Sequence, residues 1–153
     1  MAKLAFSNRQ RTRPLNVRLL REITVSVLEE LPRIDDWDLT FYFVSAKRIA
    51  ELNETHLAHE GPTDVITFGY SDPHTPWQIA GEIFICVEVA VKQAQEFRST
   101  WQSEVVRYVV HSILHLCGYD DLKPAERRRM KQVENRLVTK LSRQFKLAKL
   151  GMR

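Results

Sequence analysis

Between Thr100 and Gly118 the chain runs through Val105, Val106, Val109, Val110, Ile113, Leu116 and Cys117. On a helical wheel at about 100° per residue, with His111 at zero, Glu104 falls about 20° away, His115 about 40° away and Arg107 about 40° to the other side. Most polar side chains of a strongly apolar helix thus gather on one stripe, so this helix must be buried on most of its sides. Gly118 ends it, as a glycine just past a helix commonly does. A chain with such a helix needs an apolar layer to lay it on, and two histidines on the one polar stripe need a task.

The flanking sequence supplies the layer. Leu4–Asn8 predicts a short edge strand. Pro14 opens a helix in which Leu15, Leu19, Ile23, Val27 and Leu31 recur at every fourth position, and Pro32 ends it. Asp38–Ser45, rich in aromatic and β-branched residues, reads as a strand, and Ser45 caps a helix from Ala46 to near Thr55. Thr63–Phe68 and Ile79–Val87 are two further strands, and the ten residues between them suit antiparallel neighbours. Val87–Phe97 reads as helical. Ser99-Thr100-Trp101-Gln102 has capping-box spacing at the head of the 100–117 helix, and Pro124 opens a last helix to near Leu147. The expected fold is α+β: a single domain over residues 1–153 with a mixed four-stranded sheet and about five helices packed on it.

Charge is polarised along the chain. Residues 1–21 carry +6, residues 22–122 carry −11 and residues 123–153 carry +9. Basic ends favour a polyanionic partner and an acidic middle suits a metal-bearing body, although the C-terminal charges also fit the solvated face of a helix. No apolar run reaches the roughly 18 residues of a membrane span. The first residues lack the apolar segment of a secretory signal. Cys86 and Cys117 belong to no CxxC pair and read as reduced, buried thiols. Together these point to a cytoplasmic protein without membrane contact.

The histidine stripe has the geometry of a metal site. Histidines four residues apart project from one helical face and can share an ion. Gly118 turns the chain back, and Asp121 arrives six residues after His115, giving H-x-x-x-H-x-x-G-x-x-D. Two imidazoles and a carboxylate are ordinary zinc ligands that leave a fourth position for water. The same donor set accepts Fe2+ or Mn2+. The expectation is one ion per chain, held by His111, His115 and Asp121. The spacing matches the metzincin protease helix too, but Ser112 stands where that helix carries its glutamate, and a serine is no general base at neutral pH. Ser112 therefore argues against a peptidase.

The segment His111-Ser112-Ile113-Leu114-His115-Leu116-Cys117-Gly118-Tyr119-Asp120-Asp121 resembles the HGxLHLxGYDH motif of the YbeY family, bacterial single-strand-specific metallo-endoribonucleases. Pro62-Thr63-Asp64-Val65-Ile66-Thr67-Phe68 resembles the family's PTDVLSF strand, and Gly81-Glu82-Ile83-Phe84-Ile85 its GDIxIS strand. Leu52-Asn53 resembles the opening of its LNxxYR segment. The likeness runs over roughly residues 4 to 140. It implies a mixed α/β fold, zinc, single-stranded RNA as substrate, and work in rRNA maturation and ribosome quality control in the cytoplasm.

Three positions depart from the family pattern: Asp121 replaces the third histidine, Ser112 the glycine, and Leu57 the arginine of LNxxYR. Arg107, Lys47 and Arg48 are alternative sources of a guanidinium or ammonium. Arg107 is the candidate catalytic residue, its other reading being an ion pair with Glu104. Asp64 and Glu82 either orient a ligand or water, or cap strand ends. Asp120 reads as an outer group beside the ligand at 121. His56, His59 and His74 read as solvated loop residues. Arg127, Arg128, Arg129 and Lys131 on the last helix are the expected RNA-binding cations. Two rivals stay open: a metal-dependent hydrolase of another substrate such as a peptide, and a non-enzymatic ribosome-associated module with a structural metal clamp.

Overall fold

The computed structural model describes residues 2–57, 61 and 63–152. Four strands form one sheet in the order β1-β2-β4-β3, where β1 is Lys3–Asn8, β2 Asp36–Val44, β3 Val65–Gly69 and β4 Gln78–Cys86. β1 and β4 flank β2 in parallel, and β3 runs antiparallel to β4. Parallel neighbours require crossovers, and the helix α1 (Val17–Glu29) makes the one from β1 to β2. The chain continues through α2 (Ala46–Leu57), α3 (Val87–Glu96), α4 (Trp101–Leu116) and α5 (Pro124–Gln144), and ends in a 3-10 turn at Leu147–Gly151.

The expected order of elements is the observed one, with shifts at the ends that local hydrogen bonds explain. The first helix begins three residues beyond Pro14, because Asn16 caps it by accepting from the Leu19 amide at 3.1 Å. Ser45 caps α2 as expected, accepting from the Arg48 amide at 3.1 Å. At the head of α4 the capping residue is Thr100, which accepts from the Ser103 amide at 3.2 Å; no box forms between Ser99 and Gln102. Ser99 donates instead to the Glu104 carboxylate at 3.1 Å. The last helix stops at Gln144, short of Leu147, where Phe145 turns extended.

The two faces of the sheet differ. Leu39, Phe41, Phe43, Ile79, Ile83 and Ile85 point to the side covered by α1 and α4, and that interface is the main core. The opposite face is covered at one end only, by α2 over Val44, Ile66 and Cys86. α4 lies close against β3 and β4 because Leu116 meets two glycines. A Cβ at Gly81 would sit 2.6 Å from the Phe68 carbonyl oxygen and 3.0 Å from Leu116 Cδ2, whereas one at Gly69 would meet only Leu116, at 3.2 Å. A backbone oxygen cannot swing aside, but the end of a leucine can. Gly81→Ala is therefore expected to lower the free energy of unfolding by about 1–3 kcal/mol, the range of core overpacking, and Gly69→Ala by less. Urea denaturation of the two variants checks the order.

Candidate metal centre

α4 is fixed by its apolar sides, and its polar stripe is left facing a groove. His111 and His115 stand one turn apart on that stripe with ring centroids 4.7 Å apart. The helix closes where the Cys117 amide bonds to the Ile113 carbonyl and the Gly118 amide to the His115 carbonyl, at 3.0 Å each. Gly118 adopts φ +95°, a conformation that side-chain-bearing residues rarely take. The chain thereby folds back under the helix. Asp121 Oδ2 comes to 3.5 Å from His115 Nε2 and 4.0 Å from His111 Nε2. One donor atom from each of the three residues lies within 4.8 Å of the others. Donors held about 2.0–2.2 Å from a tetrahedral ion are about 3.3–3.6 Å apart. The donor set and its spacing thus fit a single divalent ion after small side-chain adjustments.

Asp120 takes no part. It is exposed and accepts from the Leu122 amide at 2.9 Å, bracing the turn, with no contact to either histidine among the described residues. Its expected place is that of an outer group and not a ligand, and the donor cluster leaves it out. Cys117 is equally excluded. Burial pushes its thiol up to about 11, so it stays protonated, and it falls outside the donor cluster.

Glu134 on α5 joins the site without having stood among the residues expected there. Its side chain is 3% exposed, and Oε1 lies 2.6 Å from His111 Nδ1. Oε2 accepts from Arg107 Nη1 at 2.6 Å and from Lys131 Nζ at 3.2 Å. Burial alone would raise the pKa of this carboxyl, but hydrogen bonds from His111 and Arg107 and the Lys131 charge outweigh it and hold the pKa at about 2. The ionised carboxylate only accepts, so His111 is assigned its proton on Nδ1, which leaves the Nε2 lone pair aimed at Asp121. A carboxylate behind a histidine ligand orients the ring and raises its basicity. A signal for Glu134 exists in the sequence: it is the one acid among Met130, Leu137, Val138 and Leu141 on the buried stripe of α5.

The other expected site residues divide. Arg107 pairs with Glu134 and donates to Asn135 Oδ1 at 2.7 Å, not to Glu104, which corrects the ion-pair reading. It still lines a groove of about 780 Å³ together with His111, Asp121, Arg127, Arg128 and Lys131. Arg129 is exposed and does not line that groove. Arg127 donates to the Asp121 carbonyl at 3.0 Å, so it also braces the loop that carries the third donor. Asp64 caps the start of β3, accepting from the Val65 amide at 2.8 Å, and borders the groove beside His111. Glu82 does neither expected job. It lies within β4 on the far face, where the hydroxyls of Tyr42 and Tyr70 donate to it at 2.9 and 2.7 Å. Lys47 and Arg48 sit at the start of α2, where Arg48 pairs with Glu51 at 3.5 Å. His56 is exposed near the end of α2 with its ring edge-on to Phe68, His74 is exposed in a turn, and His59 lies outside the described residues.

A second groove, of about 510 Å³, meets the first at His111 and Asp121 and contains Leu57, Thr67 and His115. Leu57, 44% exposed, therefore lines the groove that holds the donor cluster, at the position where the motif's arginine would stand. Ser112 is fully buried and donates to the Val109 carbonyl at 2.8 Å, so it has no access to either groove.

Comparison with known proteins adds the family. The sequence model described as Endoribonuclease YbeY matches residues 5–142. The Endoribonuclease YbeY of Parabacteroides distasonis is 37% identical over 101 residues, which cover 66% of this chain and 69% of that protein. The one from Chlamydia pneumoniae is 31% identical over 150 residues, covering 95% and 94%. Among solved structures, the solution structure of TM1509 from Thermotoga maritima aligns with a TM-score of 0.65 and 25% identity, over 91% of this chain and 89% of that one.

The depressed pKa of Glu134 has a measurable consequence of definite sign. It lies at about 2 against an ordinary value of 4.5, so its contribution to stability is complete above about 4.5 and is lost as the pH falls toward 2. With 1.36 kcal/mol for each unit of difference, the contribution is roughly 3 kcal/mol at neutral pH. In the metal-free protein, Glu134→Gln should flatten the decline of unfolding free energy between pH 4.5 and 2. An acid limb equal to that of the native chain would place the ionisation elsewhere.

Proposed function

The chain belongs to the YbeY family of endoribonucleases, and we propose that it hydrolyses phosphodiesters of single-stranded RNA with one divalent ion held by His111, His115 and Asp121. The carrying observation is the position of that cluster, at the junction of two grooves of which one has a cationic wall. Zinc is the proposed ion, with Fe2+ and Mn2+ compatible with the same donors. When bound, the ion supplies Lewis acidity toward the phosphoryl group and an acidified water.

The protein's own residues do the rest. Glu134 fixes the His111 ring, and Arg127 fixes the loop bearing Asp121. Arg107, Arg128 and Lys131 face the groove and meet phosphate charge along it. Natural substrates are proposed to be ribosomal RNA precursors, with contact to the ribosome and action in the cytoplasm. No described helix is long and apolar enough to cross a membrane.

One observation favours a second reading. Leu57 stands beside the donors where the family motif carries arginine, so the guanidinium that the motif would bring to the site is replaced by an apolar side chain. A non-enzymatic ribosome-associated module would fit such a loss. It would sediment with ribosomes and leave RNA intact when fully loaded with metal.

Elemental analysis of the purified protein should find about one ion per chain. His111→Ala, His115→Ala and Asp121→Ala should each lose it together with cleavage of single-stranded RNA, whereas Asp120→Ala should keep both. Full metal content in the two histidine variants would sink the assignment.

RNA affinity should fall with salt because bound phosphates release counterions. Arg127 and Lys131 also brace the site, so the clean variants are Arg128→Glu and Arg129→Glu. For every phosphate that such a variant no longer neutralises, the slope of log affinity against log salt should shrink by about 0.7. Metal content should not change. A slope that does not move would place the RNA away from α5.

A further inference from the structure

The edge of the sheet beside the donor cluster is open among the described residues. In an antiparallel pair, alternate residues turn both backbone groups toward the neighbour and the others turn both away. The Cys86 amide bonds to the Asp64 carbonyl and the Tyr70 amide to the Ala80 carbonyl, at 3.0 and 2.9 Å. With the register Ile66↔Phe84 and Phe68↔Glu82 between them, the residues of β3 that face away from β4 are Val65, Thr67 and Gly69. The Val65 amide confirms the direction, since it is taken by its neighbour's side chain, Asp64 Oδ1. The outward N–H and C=O of Thr67 and Gly69 have no partner among the described residues.

Sheet edges are usually blunted by charge, proline or a covering group. The other edge of this sheet is blunted: Lys3 stands on β1, and Arg21 donates to the Leu4 carbonyl at 2.6 Å. β3 reads VITFG, with neither charge nor proline, and its open side belongs to the groove that holds His111, His115 and Asp121.

We propose that the outward N–H and C=O of Thr67 hold the base-pairing edge of an unpaired nucleobase next to the scissile phosphate. This rests on the nuclease reading above and adds the determinant of strand selection. A strand residue turned outward offers one donor and one acceptor side by side. The pairing edge of a base offers the complementary pair, and in a duplex that edge is already occupied. Leu57 and Leu116 line the same groove and give the base an apolar surface. The phosphates on the far side of the cluster meet Arg107, Arg128 and Lys131. An extended peptide also pairs with sheet edges. The cationic wall continuous with this edge suits phosphates, and buried Ser112 supplies no proton carrier for peptide hydrolysis.

The test compares binding of a uridine oligomer with that of the same oligomer methylated at uracil N3, which blocks the pairing edge. Anisotropy after rapid mixing with metal-loaded protein reads binding before cleavage. For the native chain, methylation should weaken binding about tenfold, the effect of leaving a hydrogen-bonding group unpaired. Thr67→Pro removes an outward N–H without touching the ladder, as proline at a sheet edge allows. It should weaken binding of the unmodified oligomer about tenfold by leaving a uracil carbonyl unpaired, and methylation should weaken binding further, because proline keeps the carbonyl that accepts from uracil N3–H. Thr67→Val, which keeps the backbone groups, should behave as native. If Thr67→Pro does not fold, the methylation comparison on the native chain decides by itself. Native protein that binds and cuts the oligomer but ignores methylation overturns this proposal alone; native protein that binds neither oligomer overturns the nuclease reading with it. Unfolded casein that loses binding in Thr67→Pro while the uridine oligomer does not would assign the edge to polypeptide, and would overturn the proposal too.

Discussion

Burial of α4 against the sheet is the constraint on which the other features depend. Val105, Val106, Val109, Val110 and Ile113 are fully enclosed, so the helix has no rotational freedom about its axis. Rotating it by a few tens of degrees would drive polar side chains into the core, at a cost of several kcal/mol for each unsatisfied group. The histidines therefore owe their direction to the valines behind them. Gly69 and Gly81 set the distance, since they let Leu116 settle onto the strands. A donor cluster formed by one helix and the turn after it gains its accuracy from this packing, and the metal need not organise it.

The electrostatics follow from the same burial. Glu134 is a charge taken almost wholly out of water, and it stays ionised because three donors converge on it. One of them is the imidazole of a candidate metal ligand and the other two belong to the groove wall. α4 and α5 are thus joined by a polar knot within an apolar contact, and breaking one partner leaves the others uncompensated. Arg107 and Lys131 cannot be read as free cations waiting for phosphate. Part of their charge is already engaged in holding the site together.

The legible and illegible parts of this chain divide by range. Periodicity along α1 and α4, alternation in the strands, and capping residues such as Ser45 act over a few positions, and they locate the elements to within a few residues. His111, His115 and Asp121 lie on one helix and its turn, so their meeting is legible as well. Glu134 lies 23 positions beyond His111, and its approach depends on how α5 docks on α4. The same limit explains why the sequence suggests Glu104 as the partner of Arg107, on its own helix, when the nearer carboxylate belongs to α5. Glu82 misleads for another reason: strand alternation places it on the face away from the donor cluster, and the motif by itself carries no such parity. The thinness of cover on that face, where Tyr42 stacks on Phe84 and Phe68 meets Phe84 edge-on, is likewise a matter of layer count that no local pattern encodes.

The unprotected edge of β3 has a bearing on how the protein behaves when nothing occupies the groove. Along the uncharged strand VITFG, Thr67 and Gly69 turn outward backbone groups that have no partner among the described residues, a short template on which another chain's strand can be laid. The segment is held short by Gly69 at one end and by the Asp64 side chain, which already occupies the Val65 amide, at the other. Its length is below what a persistent intermolecular sheet requires, so self-association through this edge stays weak and reversible. A ligand seated on the outward groups of Thr67 would compete with it. An empty groove therefore leaves this edge available to another strand, and an occupied one takes it out of reach.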